Sequence, residues 1–159
     1  SDFECPIYDP GSLSNVFELE YEIWMRIDEL IRLLTRASSK QKVTLPIPAQ
    51  MLGLLPQSPL RQWPKGFALK KYATAVGIIS PKSPYVRTDS AAPLYPELRR
   101  AERLSFAVWL LLDAVTKNTD GKVTRQGVLE MESIAARLEA AREQISSIIV
   151  ALRQNMTKK

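Results

Sequence analysis

Apolar residues recur every three or four positions at Phe17, Tyr21, Trp24, Ile27, Ile31 and Leu34, a spacing that stacks them on one helical face and predicts an amphipathic helix over 15–37. Asn15 followed by Glu18 has the form of a capping box, and Glu22/Arg26 and Asp28/Arg32 stand at favourable i,i+4 spacing. A second helix is expected over 96–117, starting near Pro96, where a missing N–H is harmless. It carries Leu98, Leu104, Phe106, Val108, Trp109, Leu111, Leu112 and Val115, and between Ser105 and Val115 it is apolar nearly all round, the mark of a central core helix. A third helix, capped by Thr124, is expected over 124–155. Along it Met131, Ile134, Leu138, Ala141, Ile145, Ile148 and Leu152 keep a 3.5-residue period. Such a seam packs either on a second copy of the chain, through Met131, Ile134, Leu138, Ile145, Ile148 and Leu152, or on the other two helices. The flanking Ala135, Arg137, Arg142, Gln144, Ile149 and Ala151 lack alternating charge, which favours the second.

Prolines decide what cannot be helical. Nine of the eleven lie between Pro46 and Pro96, so the long helices flank a broken middle. Within 38–95 the expected pieces are an extended stretch at Val43–Pro48 and a short helix near 66–79, with Leu69, Tyr72, Ala73 and Val76 on one face and Lys70 and Lys71 opposite. The fold expected is all-α or nearly so: one domain spanning 1–159, a bundle of three long helices with a proline-rich basic segment inserted between helices 1 and 2, preceded by a tail over 1–14.

Composition removes several classes of function. The 159 residues contain no His and one Cys, which excludes Ser-His-Asp triads, Cys-His dyads and ordinary zinc sites. Nucleotide-binding glycine motifs are missing from the sequence, so no enzyme activity, cofactor or metal is expected. The lone Cys5 cannot close an internal disulfide, and the acidic Ser1–Pro10 stretch lacks the pattern of a signal peptide; both point to an intracellular setting, cytoplasmic or associated with nucleoprotein. No apolar run approaches the roughly 20 residues of a transmembrane helix.

Charge is distributed unevenly: residues 1–29 sum to −7, residues 30–88 to +10 and residues 89–159 to +2, and the middle 59 residues contain no acid. There Arg61, Lys65, Lys70, Lys71, Lys82 and Arg87 alternate with Trp63, Phe67, Tyr72 and Tyr85, a mixture able to neutralise phosphates and stack on bases. The candidate nucleic-acid contacts are Arg61, Trp63, Lys65, Lys70, Lys71, Tyr72, Lys82, Tyr85 and Arg87. The competing reading is that the acidic first helix neutralises this stretch within one molecule or across a subunit boundary, its aromatics then being core. An acidic protein partner, a homo-oligomer and an anionic membrane surface are the other partners such charge would fit.

Weaker patterns are better explained structurally. Ala73, Gly77 and Ile78 resemble a helix-turn-helix, but Pro81 and Pro84 fall where its recognition helix would run. Thr116–Gly127 has the outline of a calcium loop without its first acid or its closing Glu, so Asp120-Gly121 reads as a turn. Glu18, Glu22 and Glu29, like Glu139 and Glu143, have the spacing of solvated helix faces. Leu52–Leu60 offers either a docking surface or a plug over the core.

Overall fold

The computed structural model describes residues 10–38, 47, 49–56, 63–75, 94–116 and 133–157. Among these the secondary structure is helical throughout, without a strand. The helices are α1 (Pro10–Ser38), α2 (Ala49–Leu52), α3 (Ala68–Ala75), α4 (Leu94–Thr116) and α5 (Ile134–Thr157). The fold class is therefore all-α, as the sequence periodicity requires.

α1 is longer than its apolar repeat. It begins at Pro10, a residue suited to the first turn because its fixed φ is helical and the N–H it lacks would be unbonded there. The part of the expected tail from Pro10 onward is thus helix. Its buried face also differs from the stripe read in the sequence: Val16, Leu19, Ile23, Trp24, Ile27 and Leu30 lie deepest, while Phe17, Tyr21, Ile31 and Leu34 pack at the margins. A face this broad is that of a helix covered on more than one side. α1 packs most extensively on α5 and also meets α4, and α5 in turn packs on α4.

α4 is correspondingly less central than its composition suggests. It buries Ala101, Leu104, Val108, Trp109, Leu111 and Leu112, but Phe106 and Leu110 remain 38% and 50% exposed. The apolar run contains few polar residues to mark its outer side, so the sequence alone gives the outer face and the core face the same composition. The buried Ser105 is satisfied locally, donating to the Glu102 carbonyl at 2.5 Å and accepting from the Arg137 Nε at 2.9 Å. That bond ties α4 to α5, and the Arg137 guanidinium also lies 4.2 Å from the centroid of Phe106.

α5 starts later than expected. Ser133 is its cap: its hydroxyl accepts from the Ala136 N–H at 2.9 Å, and its carbonyl accepts the first helical bond from Arg137 at 3.2 Å. Apolar spacing in the sequence runs on through Met131, which carried the expected helix across this break; Thr124 and Met131 themselves lie outside the described residues. The heptad-like seam is filled within the chain. Leu138, Ala141 and Ile145 are fully buried, with Ile134, Ile148 and Leu152 partly buried around them, so the centre of this face is packed within the chain.

The short elements complete the core. Ile47, Met51, Leu52 and Leu55 are buried, and α2 touches both α3 and α4. The N–H groups of Leu54 and Leu55 donate to the carbonyls of Met51 and Leu52, a tight turn that returns Leu55 inward. Leu52 and Leu55 thus belong to the core rather than to a docking surface. Among the described residues the buried indole N–H groups of Trp24 and Trp109 meet no acceptor, and both side chains contribute through packing. Replacing Trp109 by Ala should cost about 3–5 kcal/mol, measured as the loss in unfolding free energy in urea titrations. A change below about 1 kcal/mol would show that α4 contributes little to the core.

Candidate functional site

α1 carries carboxylates into a largely apolar interface, and each of four has an identifiable partner. Glu20, 2% exposed, accepts two bonds from Arg100 of α4, from Nε at 2.8 Å and from a terminal nitrogen at 3.2 Å. This bidentate geometry offsets the cost of removing the carboxylate from water and fixes how α1 and α4 align. Glu22 accepts from Arg142 of α5 at 2.7 Å and lies 3.9 Å from Arg26, whose Nε donates to the Ser146 hydroxyl at 2.9 Å. Glu29 pairs with Arg153 of α5. The arginines neutralising Glu20, Glu22 and Glu29 therefore come from α4, α5 and α1 itself.

Asp28 has a different role. It is 6% exposed, and its Oδ1 accepts from the backbone N–H groups of Ala68 and Leu69 at 3.1 and 3.0 Å, while Oδ2 accepts from Arg32 Nε at 2.9 Å. A helix leaves its first N–H groups without intrahelical acceptors, and a carboxylate there complements both the donors and the local positive potential. Asp28 is thus a cap supplied from forty residues away. The residue preceding α3 is Phe67, whose side chain has no acceptor, so the cap must come from elsewhere.

The approach to α3 is equally well defined. Phe67 N–H donates to the Pro64 carbonyl at 3.1 Å, and Gly66 has φ of 85°, the arrangement of a type II turn whose third position favours glycine. Phe67 stacks on Trp63 with ring centroids 4.2 Å apart, and Trp63 stacks on Tyr21 of α1 at 5.4 Å, with interplanar angles of 8° and 13°. Trp63 is therefore engaged inside the chain, contrary to its expected use as a base-stacking residue. Stacked pairs of this kind contribute about 0.5–1.5 kcal/mol each beyond burial, and they hold the turn against α1.

Beyond the cap, Leu69 and Ala73 face the core, and Lys70, Lys71 and Tyr72 are exposed, Tyr72 by 44%. Tyr72 was expected on the apolar face with Leu69; it stands outside, beside the lysines. Lys65 is exposed on the turn. Among the described residues no ion pair involves Lys65, Lys70 or Lys71. Of the expected contacts, Lys65, Lys70, Lys71 and Tyr72 are exposed on α3 and the turn before it; Arg61, Lys82, Tyr85 and Arg87 lie outside the described residues, as do Gly77 and Ile78 and nearly all of the calcium-loop pattern.

An open groove of about 640 Å³ runs between α1, the Pro64–Phe67 turn and α5. Arg26, Arg32, Lys65 and Arg153 line it together with Asp28 and Glu29, and Met25, Phe67, Ile149 and Val150 supply its apolar surface. Arg32 and Arg153 were not among the expected contacts. Their signal in the sequence was weak, since Arg32 read as the partner of Asp28 and Arg153 lies outside the acid-free stretch. Among the described residues no three acidic or cysteine side chains converge on a metal position, and no helix is long and apolar enough to cross a membrane. The chain matches no protein-family model, no curated protein and no solved structure.

Asp28→Ala should destabilise the protein by about 1–2 kcal/mol and speed amide exchange at Ala68 and Leu69. Asp28→Asn, which keeps an acceptor but not the charge, should lose less. Equal exchange rates in both variants and the parent would show that α3 does not depend on this carboxylate.

Proposed function

We propose that the chain is a non-enzymatic nucleic-acid-binding protein that contacts phosphates through the basic surface of α3 and the turn before it. The observation that carries this reading is the division of charge: Glu20, Glu22 and Glu29 are paired with arginines from the long helices, and Asp28 with the α3 backbone and Arg32, while Lys65, Lys70 and Lys71 are exposed. Intramolecular neutralisation of the basic stretch by the acidic helix finds no support at these three lysines. Lysines on a helix beside an exposed tyrosine suit a polyanion whose backbone is charged and whose bases are flat. On this reading the chain is a bundle of three long helices, and the proline-rich basic segment between the first and second is the insertion that bears the binding surface. Assembly of a nucleoprotein-like particle is the role such a domain would serve inside the cell.

A protein adaptor is the alternative, favoured by one observation. Phe106 and Leu110 are one turn apart on α4 and exposed, and large apolar side chains left on one helix face suit a protein partner or a second copy. A peripheral role on anionic membrane rests on the basic charge alone.

The Lys70→Glu/Lys71→Glu double variant should lose about tenfold or more in affinity for a labelled oligonucleotide in fluorescence-anisotropy titrations, with its helical content unchanged by circular dichroism. The parent should bind more weakly as salt rises. Oligonucleotide binding that ignores both the substitutions and the salt would overturn the reading.

A further inference from the structure

We infer that the groove between α1, the Pro64–Phe67 turn and α5 receives single-stranded nucleic acid, its bases on the apolar floor and its phosphates on the rim cations. The inference rests on the nucleic-acid reading above and specifies the form of ligand. Lys65 connects the two surfaces, since it lines the groove and also sits on the turn that leads into α3 with Lys70 and Lys71. The rim carries Arg32 and Arg153, whose side chains are 50% and 59% exposed.

Two carboxylates, Asp28 and Glu29, share the groove, and both are already engaged. Asp28 accepts from the α3 backbone and from Arg32, and Glu29 pairs with Arg153. A guanidinium has five N–H donors, and these pairs use only part of that capacity, so both arginines keep donors for phosphate. With four cations against two carboxylates, the lining is positive. The electrostatics therefore select an anion.

The floor decides which anion. Val150 is 52% exposed and, with the half-buried Met25, is the apolar surface open in the groove, above the buried Ile149 and Phe67; a free phosphate would not use it. A duplex hides the faces of its bases and presents phosphates, so it would leave this floor uncovered. Unstacked bases, by contrast, gain by lying on apolar side chains while the backbone follows the cations. The volume falls within the range of about 300–1,000 Å³ typical of small-ligand sites, suited to a short stretch rather than a long wrapped segment.

The test compares anisotropy titrations of a labelled single strand of about 12 nucleotides with those of its duplex, using the whole chain. The parent should bind the single strand about tenfold more tightly. Val150→Glu should remove most of that preference while leaving duplex affinity unchanged. Val150 is exposed, so the substitution is compatible with the fold, and circular dichroism verifies this. Should Val150→Glu lose helicity, Arg153→Ala takes its place: it should lower the salt slope for the single strand by about 0.7, one phosphate contact. Parental single-strand binding in a folded Val150→Glu, with binding lost in Lys70→Glu/Lys71→Glu, would overturn the groove assignment and leave the α3 reading intact. Absence of binding to either oligonucleotide by the parent would overturn both. Poly-glutamate that competes for the parent but not for Val150→Glu would assign the groove to an acidic polypeptide instead.

Discussion

Packing α1 against both other long helices brings its carboxylates to an apolar boundary, where the buried Glu20 and Asp28 need partners and the half-exposed Glu22 and Glu29 also meet arginines. Arginines on α4 and α5 meet three of these acids, and those arginines are tens of residues away in sequence. Because a charge buried without a partner is costly, the Glu20–Arg100 pair acts as a registration point, and the more exposed pairs add smaller constraints. The bidentate Glu20–Arg100 pair sets α1 against α4, and the Glu22–Arg142 and Glu29–Arg153 pairs set α1 against α5 one helical segment apart. Apolar contact alone would tolerate sliding of one helix along another; ion pairs at fixed positions resist it.

Asp28 extends the same constraint to the short helix. An eight-residue helix is too short to be stable by itself, and α3 depends on packing Leu69 and Ala73 and on acceptors for its first N–H groups. Both come from the body of the protein. The Tyr21–Trp63–Phe67 stack and the Gly66 turn fix the chain just upstream, so α3 is pinned at its N-terminal end by a carboxylate, a turn and an aromatic stack. What this achieves for the proposed interface is position: the lysines need no long-range partner of their own, because the opposite face of the same helix is anchored. A basic surface on a fixed element presents its charge with less entropy to lose on binding than a free chain would.

The helical class and the α1 and α4 segments were legible because they follow from local rules, apolar spacing and proline placement. Boundaries were less legible. A capping serine at Ser133 is a single residue, easily outweighed by an apolar repeat that continues on its other side. The inner face of α1 was read too narrowly and α4 too centrally, since periodicity tells which residues share a face but not how many neighbours cover it. Charge segregation was visible in the sequence, yet its meaning was not, because Asp28 and its two backbone donors are forty positions apart.

By itself, then, the sequence determined that this chain builds long amphipathic helices and has no His and a single Cys. The helices depend on residues acting over one or two turns of backbone. Tertiary structure alone decided that the C-terminal seam is filled by α1 and α4, that Trp63 stacks within the chain, and that the acids of the first helix are spent on Arg100, Arg142, Arg153 and the start of α3. Each of those depends on which distant side chain the fold sets against a charge or an apolar face, and distance along the chain carries no record of that.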